Sequence, residues 1–183
     1  MIKVDLRNSI IEALPELELI QNNEYKEAVI DIWEETYKKS EWARLEDVPK
    51  NNKVRAYSNV QHTRSVTLQA IACAEIVENI HNIKVDKDVL ITSSLLHDIS
   101  KVFEYDNNGN KTNYGKMMQH GVYSVSKAAE HRLPLEIQHC IVTHTELSKV
   151  MPQTIEALIL HYVDYLDSDL LSHVLHLPLA LKR

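Results

Sequence analysis

The chain has 183 residues, 44% hydrophobic and 25% charged, which fits one domain with a real core. Only 3 glycines are present, all within one window (Gly109, Gly115, Gly121), too few for a sandwich, a barrel or a Rossmann-type nucleotide fold. A net charge of −6 argues against a nucleic-acid clamp, and no apolar run is long enough for a transmembrane span.

Asp5 to Ile20 reads as one helix or two, with Pro15 as a break or a new first helical position. The acids Asp5, Glu12, Glu16 and Glu18 do not suit a signal peptide. Glu24 to Lys39 is amphipathic, with Tyr25, Val29, Ile32, Trp33 and Tyr37 on one side. Lys50 to Asn59 is a polar loop. Val60 to Ile80 is a long helix whose Val66, Ala70, Cys73, Val77 and Ile80 are expected to face the core. Asp86 is expected to cap a helix over Lys87 to Asp98. Lys101–Tyr105 and Lys111–Tyr114 flank the turn sequence Asp106-Asn-Asn-Gly-Asn, which predicts a small hairpin. Helices should follow over Lys116–His131, Pro134–His144 and Thr154–His176.

These elements make an all-α, compact, single-domain helical bundle with one small hairpin excursion. Residues 1–50 would be an N-terminal helical extension packed on a unit of residues 51–183. Cys73 and Cys140 sit in apolar helical patterns and read as reduced, buried thiols of a cytoplasmic protein. The helix Glu24 to Trp42 could pack on its own core or on a second subunit, so a homo-oligomer is open.

Charge is unevenly spread. Val48 to Ala74 holds no acid but has Lys50, Lys53, Arg55 and Arg64; Asn107 to Ala129 holds none but has Lys111, Lys116 and Lys127. Such stretches in an acidic chain favour a small anionic ligand.

The chain has 10 histidines. His62, His97 (followed by Asp98), His120 and His144 come from four different helices or helix ends. On the last helix His161, Asp164 and Asp167 share one face of an apolar segment, where a buried carboxylate needs a partner such as a metal ion. A single helical histidine is more often a surface or structural residue than a ligand; the signal lies in the whole set, in order.

That order, His62, His97-Asp98, His120, His144, Asp164, resembles the HD-domain superfamily of metal-dependent phosphohydrolases. Leu95-Leu-His-Asp-Ile-Ser-Lys101 is similar to the central motif of that superfamily, including a lysine one turn after the aspartate. Ile159-Leu-His-Tyr-Val-Asp-Tyr-Leu-Asp167 is similar to the closing helix of the HD module in a bacterial 3′–5′ exoribonuclease family. The resemblance runs from about Val60 to Leu171. The nucleic-acid-binding module upstream in that exoribonuclease family has no counterpart here, so nucleic acid is not the expected partner.

The resemblance implies a bundle of the HD type. It implies that His62, His97, Asp98 and Asp164 hold one metal, and that Asp98 bridges to a second held by His120 and His144. Imidazole and carboxylate ligands suit Mn, Fe, Co, Ni or Zn, as one ion or two, with two favoured. Asp98 and Lys101 carry the catalytic expectation: Lys101, three residues after Asp98, points toward the same site and would neutralise the phosphoryl group or the leaving oxygen. Arg55, Arg64, Lys116 and Lys101 are candidate substrate contacts. His161 and Asp167 are candidates to support the ligands from behind. The implied enzyme is a metal-dependent hydrolase of phosphoric esters, acting on a nucleotide or other small phosphoester through a metal-activated water. Two alternatives share the pattern: a mixed-valent di-iron oxygenase of the same fold acting on an organophosphonate or polyol, and a degenerate binding module.

Overall fold

The computed structural model describes residues 5–180, so the outermost ends of the two segments expected above lie outside it. The chain is all-α. Its helices are α1 (Leu6–Ala13), α2 (Asn23–Lys38), α3 (Asn59–His81), α4 (Lys87–Leu96), α5 (Lys101–Glu104), α6 (Asn113–Met117), α7 (Val122–Glu130), α8 (Leu135–Thr143) and α9 (Ile155–Val174), with 3₁₀ turns at Pro15–Leu19 and Leu45–Asp47.

Local chemistry explains the starts. Pro15 opens the first 3₁₀ turn, where its missing N–H is no loss. The Asn22 side chain accepts the N–H groups of Glu24 and Tyr25, the Asp86 side chain that of Val89, and the Thr154 side chain that of Ala157. Ser58 and Gln61 exchange hydrogen bonds in a capping box at the head of α3.

The central helix is α4, buried along its length from Val89 to Leu96 and surrounded by α2, α3, α8 and α9. Ile10, Leu17, Trp33, Val66, Leu95, Ile141 and Leu160 belong to a single buried cluster, so α1 and α2 share the core of the rest. Trp33 donates its indole N–H to the Leu95 carbonyl, 3.0 Å away, which ties α2 to the end of α4. Since α4 ends at Leu96, His97 and Asp98 emerge at the bundle centre.

Three expectations differ from the structure. The flanks of Asp106-Asn-Asn-Gly-Asn are not strands: they close into α5 and α6, and only one antiparallel bridge, Tyr105 to Lys111, spans the turn. The helix expected over Lys116–His131 is broken in two before Gly121, whose φ of 85° starts α7. Ile80 points to solvent and Cys73 is half-buried, while Ala74 joins Val66 and Ala70 inside. No helix among the described residues is long and apolar enough to cross a membrane.

Candidate metal centre

Six side chains from five regions converge at the end of α4. His62 comes from the second turn of α3, His97 and Asp98 from the end of α4, His120 from the break before α7, His144 from the end of α8, and Asp164 from α9. They fall into two groups whose ligand atoms lie close together: His62, His97 and Asp164, and Asp98, His120 and His144. In the first, His62 Nε2 lies 3.4 Å from His97 Nε2 and 3.0 Å from Asp164 Oδ1. In the second, His120 Nε2 lies 3.1 Å from His144 Nε2 and 2.7 Å from Asp98 Oδ1. Asp98 faces both groups. Its other oxygen, Oδ2, is 3.4 Å from His62 Nε2 and 3.8 Å from His97 Nε2.

The histidines are locked with Nε2 inward. His97 Nδ1 is 2.6 Å from the Ser94 carbonyl and His144 Nδ1 is 2.5 Å from the Ile141 carbonyl, and a carbonyl can only accept. His62 Nδ1 is 2.6 Å from Asp167 Oδ2, and His120 Nδ1 is 2.6 Å from Glu104 Oε1. With each Nδ1 bonded outward, the Nε2 atoms face one another in pairs, an arrangement that a proton or a metal ion between the rings would satisfy.

Without an ion, that positive charge falls on His62. Burial and the Lys50 charge act to lower the His62 pKa, but hydrogen bonds to Asp164, Asp167 and Asp98 outweigh them and push it up to about 10. Burial, then the neighbouring His120 and His97, holds His144 down to about 3. Burial works to raise the Asp98 pKa, but Lys101, His120 and His97 keep its carboxyl well below the usual range. Imidazole nitrogen with carboxylate oxygen is a donor set for divalent transition metals, and the residues present fit such ions.

The profile of the HD domain family matches residues 59–169. The chain belongs to the HD-domain family. Among curated proteins, a dihydroneopterin 2′,3′-cyclic phosphate phosphodiesterase of Methanocaldococcus jannaschii is 32% identical over 113 residues, which is 60% of this chain and 45% of that protein. The match thus spans less than half of the relative's length. No solved structure matches the chain.

Around the six converging residues, the HD domain brings in some of the expected side chains and sends others elsewhere. Lys101 is nearly buried, with Nζ 3.2 Å from both Glu104 Oε2 and His120 Nδ1. Burial works to lower its pKa, but Asp98 and Glu104 outweigh it and keep the ammonium charged. Asp167 backs His62 and also accepts from Ser65 and Gln69. His161 does not reach Asp164; its Nδ1 turns to the Thr143 carbonyl of α8 at 3.1 Å. Arg64 leaves the centre for Glu16, Nε to Oε1 3.0 Å, as expected from a position about 200° around the helix from His62. Arg55 clips the 106–110 turn by donating to the Asn108 and Asn107 carbonyls. Lys116 is exposed on α6.

Sequence reasoning missed two charged residues. Glu104 holds His120, Lys101 and the Ser100 hydroxyl together. Lys50 is buried, and its ammonium donates to Ser168 Oγ at 2.5 Å, beside Asp167 on α9. Its loop is pinned by Lys50 N–H to the Tyr57 carbonyl and by the Pro49–Ser58 bridge. The acid-free run containing Lys50 was the available signal; Glu104 had none beyond lying one turn after Lys101. A cavity of about 530 Å³ walled by Trp42, Phe103, Tyr114 and Tyr123 lies on the other face of α5, and none of the six converging residues lines it.

Proposed function

We propose that this HD domain is a metal-dependent phosphohydrolase of small phosphoesters, with a cyclic phosphodiester as the first substrate to test. The observation that carries the reading is Asp98, whose two oxygens are divided between two histidine groups, Oδ1 2.7 Å from His120 and Oδ2 3.4 Å from His62. Two divalent ions, one held by His62, His97, Asp164 and Asp98, the other by His120, His144 and Asp98, would lower the pKa of water and neutralise phosphoryl charge. The protein's own groups do the rest. Asp167 and Glu104 orient the rings of His62 and His120. Lys101 stays charged, raised by Asp98 and Glu104, and would meet a phosphoryl or leaving oxygen. The Lys50 ammonium has three N–H donors and gives one to Ser168, so others would be available to a phosphate oxygen. In the net reaction one water adds across one P–O bond, so a cyclic phosphodiester opens to a phosphomonoester.

Near-complete burial of all six converging residues supports a small substrate. The cyclic phosphate named for the archaeal relative supports that ester class. It also favours hydrolysis over the oxygenase alternative, which would use the same ligands.

The test is a panel of 2′,3′-cyclic phosphates, phosphomonoesters and phosphonates, incubated with protein loaded with Mn, Co, Zn or Fe. ³¹P NMR and oxygen consumption are read together. The expected result is metal-dependent ester hydrolysis without oxygen uptake, abolished in His97→Ala and Asp98→Ala. Oxygen-dependent turnover of a phosphonate by the iron-loaded protein would establish the oxygenase instead. Failure to retain any metal would leave a binding module.

A further inference from the structure

Two apolar ridges are exposed on the packed pair α3 and α9. On α9, Leu158, Tyr162, Leu166, Leu170 and Val174 recur at every fourth residue and are 39% to 68% exposed. On α3, Leu68, Ala72, Ile76 and Ile80 repeat that spacing; all four are exposed, the three larger ones by 49% to 73%. A row at i, i+4 is the ridge that one helix inserts into the grooves of another. The two helices run antiparallel: Ser65 and Gln69, early in α3, reach Asp167 late in α9, while Asp86, just past the end of α3, donates its N–H to Glu156 at the start of α9. Both ridges therefore belong to one helical pair.

No ridge position is charged, although the chain carries a net charge of −6. Between Ser65 and Ala74, α3 has no charged residue at all. On α9, Asp164 and Asp167 turn inward to His62. Glu75 and Glu78 on α3 and Asp169 on α9 lie beside the ridges; Glu78 is paired with Lys87 at 2.9 Å and Asp169 accepts from the Ala180 N–H, so little uncompensated like charge faces a second copy. The eight larger ridge side chains expose on the order of 900 Å² in total at these fractions, against roughly 800 Å² per partner in a standard interface and roughly 300–600 Å² for the largest apolar patch of a typical monomer.

We propose that α3 and α9 form a self-complementary dimer interface, a second copy laying the same two ridges across them. The interface backs the helices that carry His62 and Asp164, so dimerisation stiffens the frame of the metal centre from outside.

Sedimentation velocity on the full chain from about 1 to 100 µM tests it. The expected species has twice the 21.1 kDa chain mass. Leu166→Glu and, separately, Ile76→Glu should weaken the dimer at least 100-fold while helical circular dichroism and metal uptake stay unchanged. If Leu166→Glu fails to fold, Tyr162→Lys at a more exposed position of the same ridge reads the same contact. A wild-type chain that stays at 21.1 kDa throughout overturns the proposal. So does a folded ridge variant that remains dimeric, or a monomer that uses the ridges to adsorb to phosphatidylcholine vesicles.

Discussion

Replacing Glu104 by glutamine separates the charge of this side chain from its shape. Glu104 Oε1 accepts from His120 Nδ1 at 2.6 Å and from Ser100 Oγ at 2.7 Å; Oε2 accepts from Lys101 Nζ at 3.2 Å. Glutamine keeps one oxygen for His120 and Ser100, but its NH₂ would face the Lys101 ammonium donor to donor. Burial works to raise the Glu104 pKa, yet the His120 hydrogen bond and the Lys101 charge outweigh it and hold the group at about 2, against an ordinary 4.5. A depression of that size corresponds to about 3 kcal/mol in favour of the charged form, within the range of roughly 3–5 kcal/mol for breaking a buried pair. Glu104→Gln should therefore lower the urea-unfolding free energy of metal-free protein by about 3 kcal/mol at neutral pH. With a neutral acceptor behind His120, affinity for Mn should also fall about 10- to 100-fold by calorimetric titration. A variant within about 0.5 kcal/mol of wild type and with unchanged metal affinity would refute the role of the Lys101–Glu104–His120 cluster; that margin is the usual effect of a neutral surface change.

Stability should also depend on pH through Glu104. Its folded pKa is depressed, so its contribution is complete above about pH 4.5 and disappears as pH falls through about 2; the stability gap between wild type and Glu104→Gln should close across that window in acid titrations of the two proteins. Lys50→Met should raise KM for a phosphoester about 10-fold or more, the worth of a charge-assisted hydrogen bond, with bound metal unchanged and Lys50→Arg partly restoring it; an equal loss in both variants would count against a phosphate contact. Gly115→Ala should destabilise the metal centre, because a Cβ there would lie 2.3 Å from the Glu104 carbonyl oxygen and α5 would have to move, as loss of Mn affinity would reveal. Gly121→Val, at a φ of 85° and with its Cβ 3.4 Å from the His144 ring, should reduce turnover more than Gly109→Ala, which shares the left-handed backbone strain at a φ of 81° but meets the flexible Arg55 guanidinium and none of the six converging residues.

Most helices were legible because their apolar spacing and caps act locally. Val66 and Ala70 on α3, Pro15 at the first 3₁₀ turn and Asp86 before α4 all behave as their types and positions dictate. The hairpin was not, because Asp106-Asn-Asn-Gly-Asn specifies a chain reversal and says nothing about what enters or leaves it. Thr112 uses its hydroxyl to cap α6, accepting from Gly115 N–H, so the returning chain turns helical after one bridge. His161 shows the same limit at the site. Its spacing places it beside Asp164 on the helix surface, but a carbonyl on α8 decides where its ring turns.

The ring orientations divide in the same way. His97 and His144 each stand at the C-terminal cap of a helix and donate Nδ1–H to the carbonyl three residues before, Ser94 and Ile141. Those carbonyls are among the orphan acceptors that every helix end leaves, so a histidine at that position has its Nε2 directed onward by local geometry alone. His62 and His120 have no such carbonyl. Each depends on a carboxylate from elsewhere in the chain, Asp167 and Glu104. Two of the four imidazoles are thus aimed by secondary structure and two by tertiary packing. Glutamine at position 104 should for that reason disturb His120 and leave His97 and His144 in place, which imidazole NMR signals of the metal-free protein would resolve ring by ring. Movement of all four rings together would mean that the centre is held as one unit and that the local caps do not act independently.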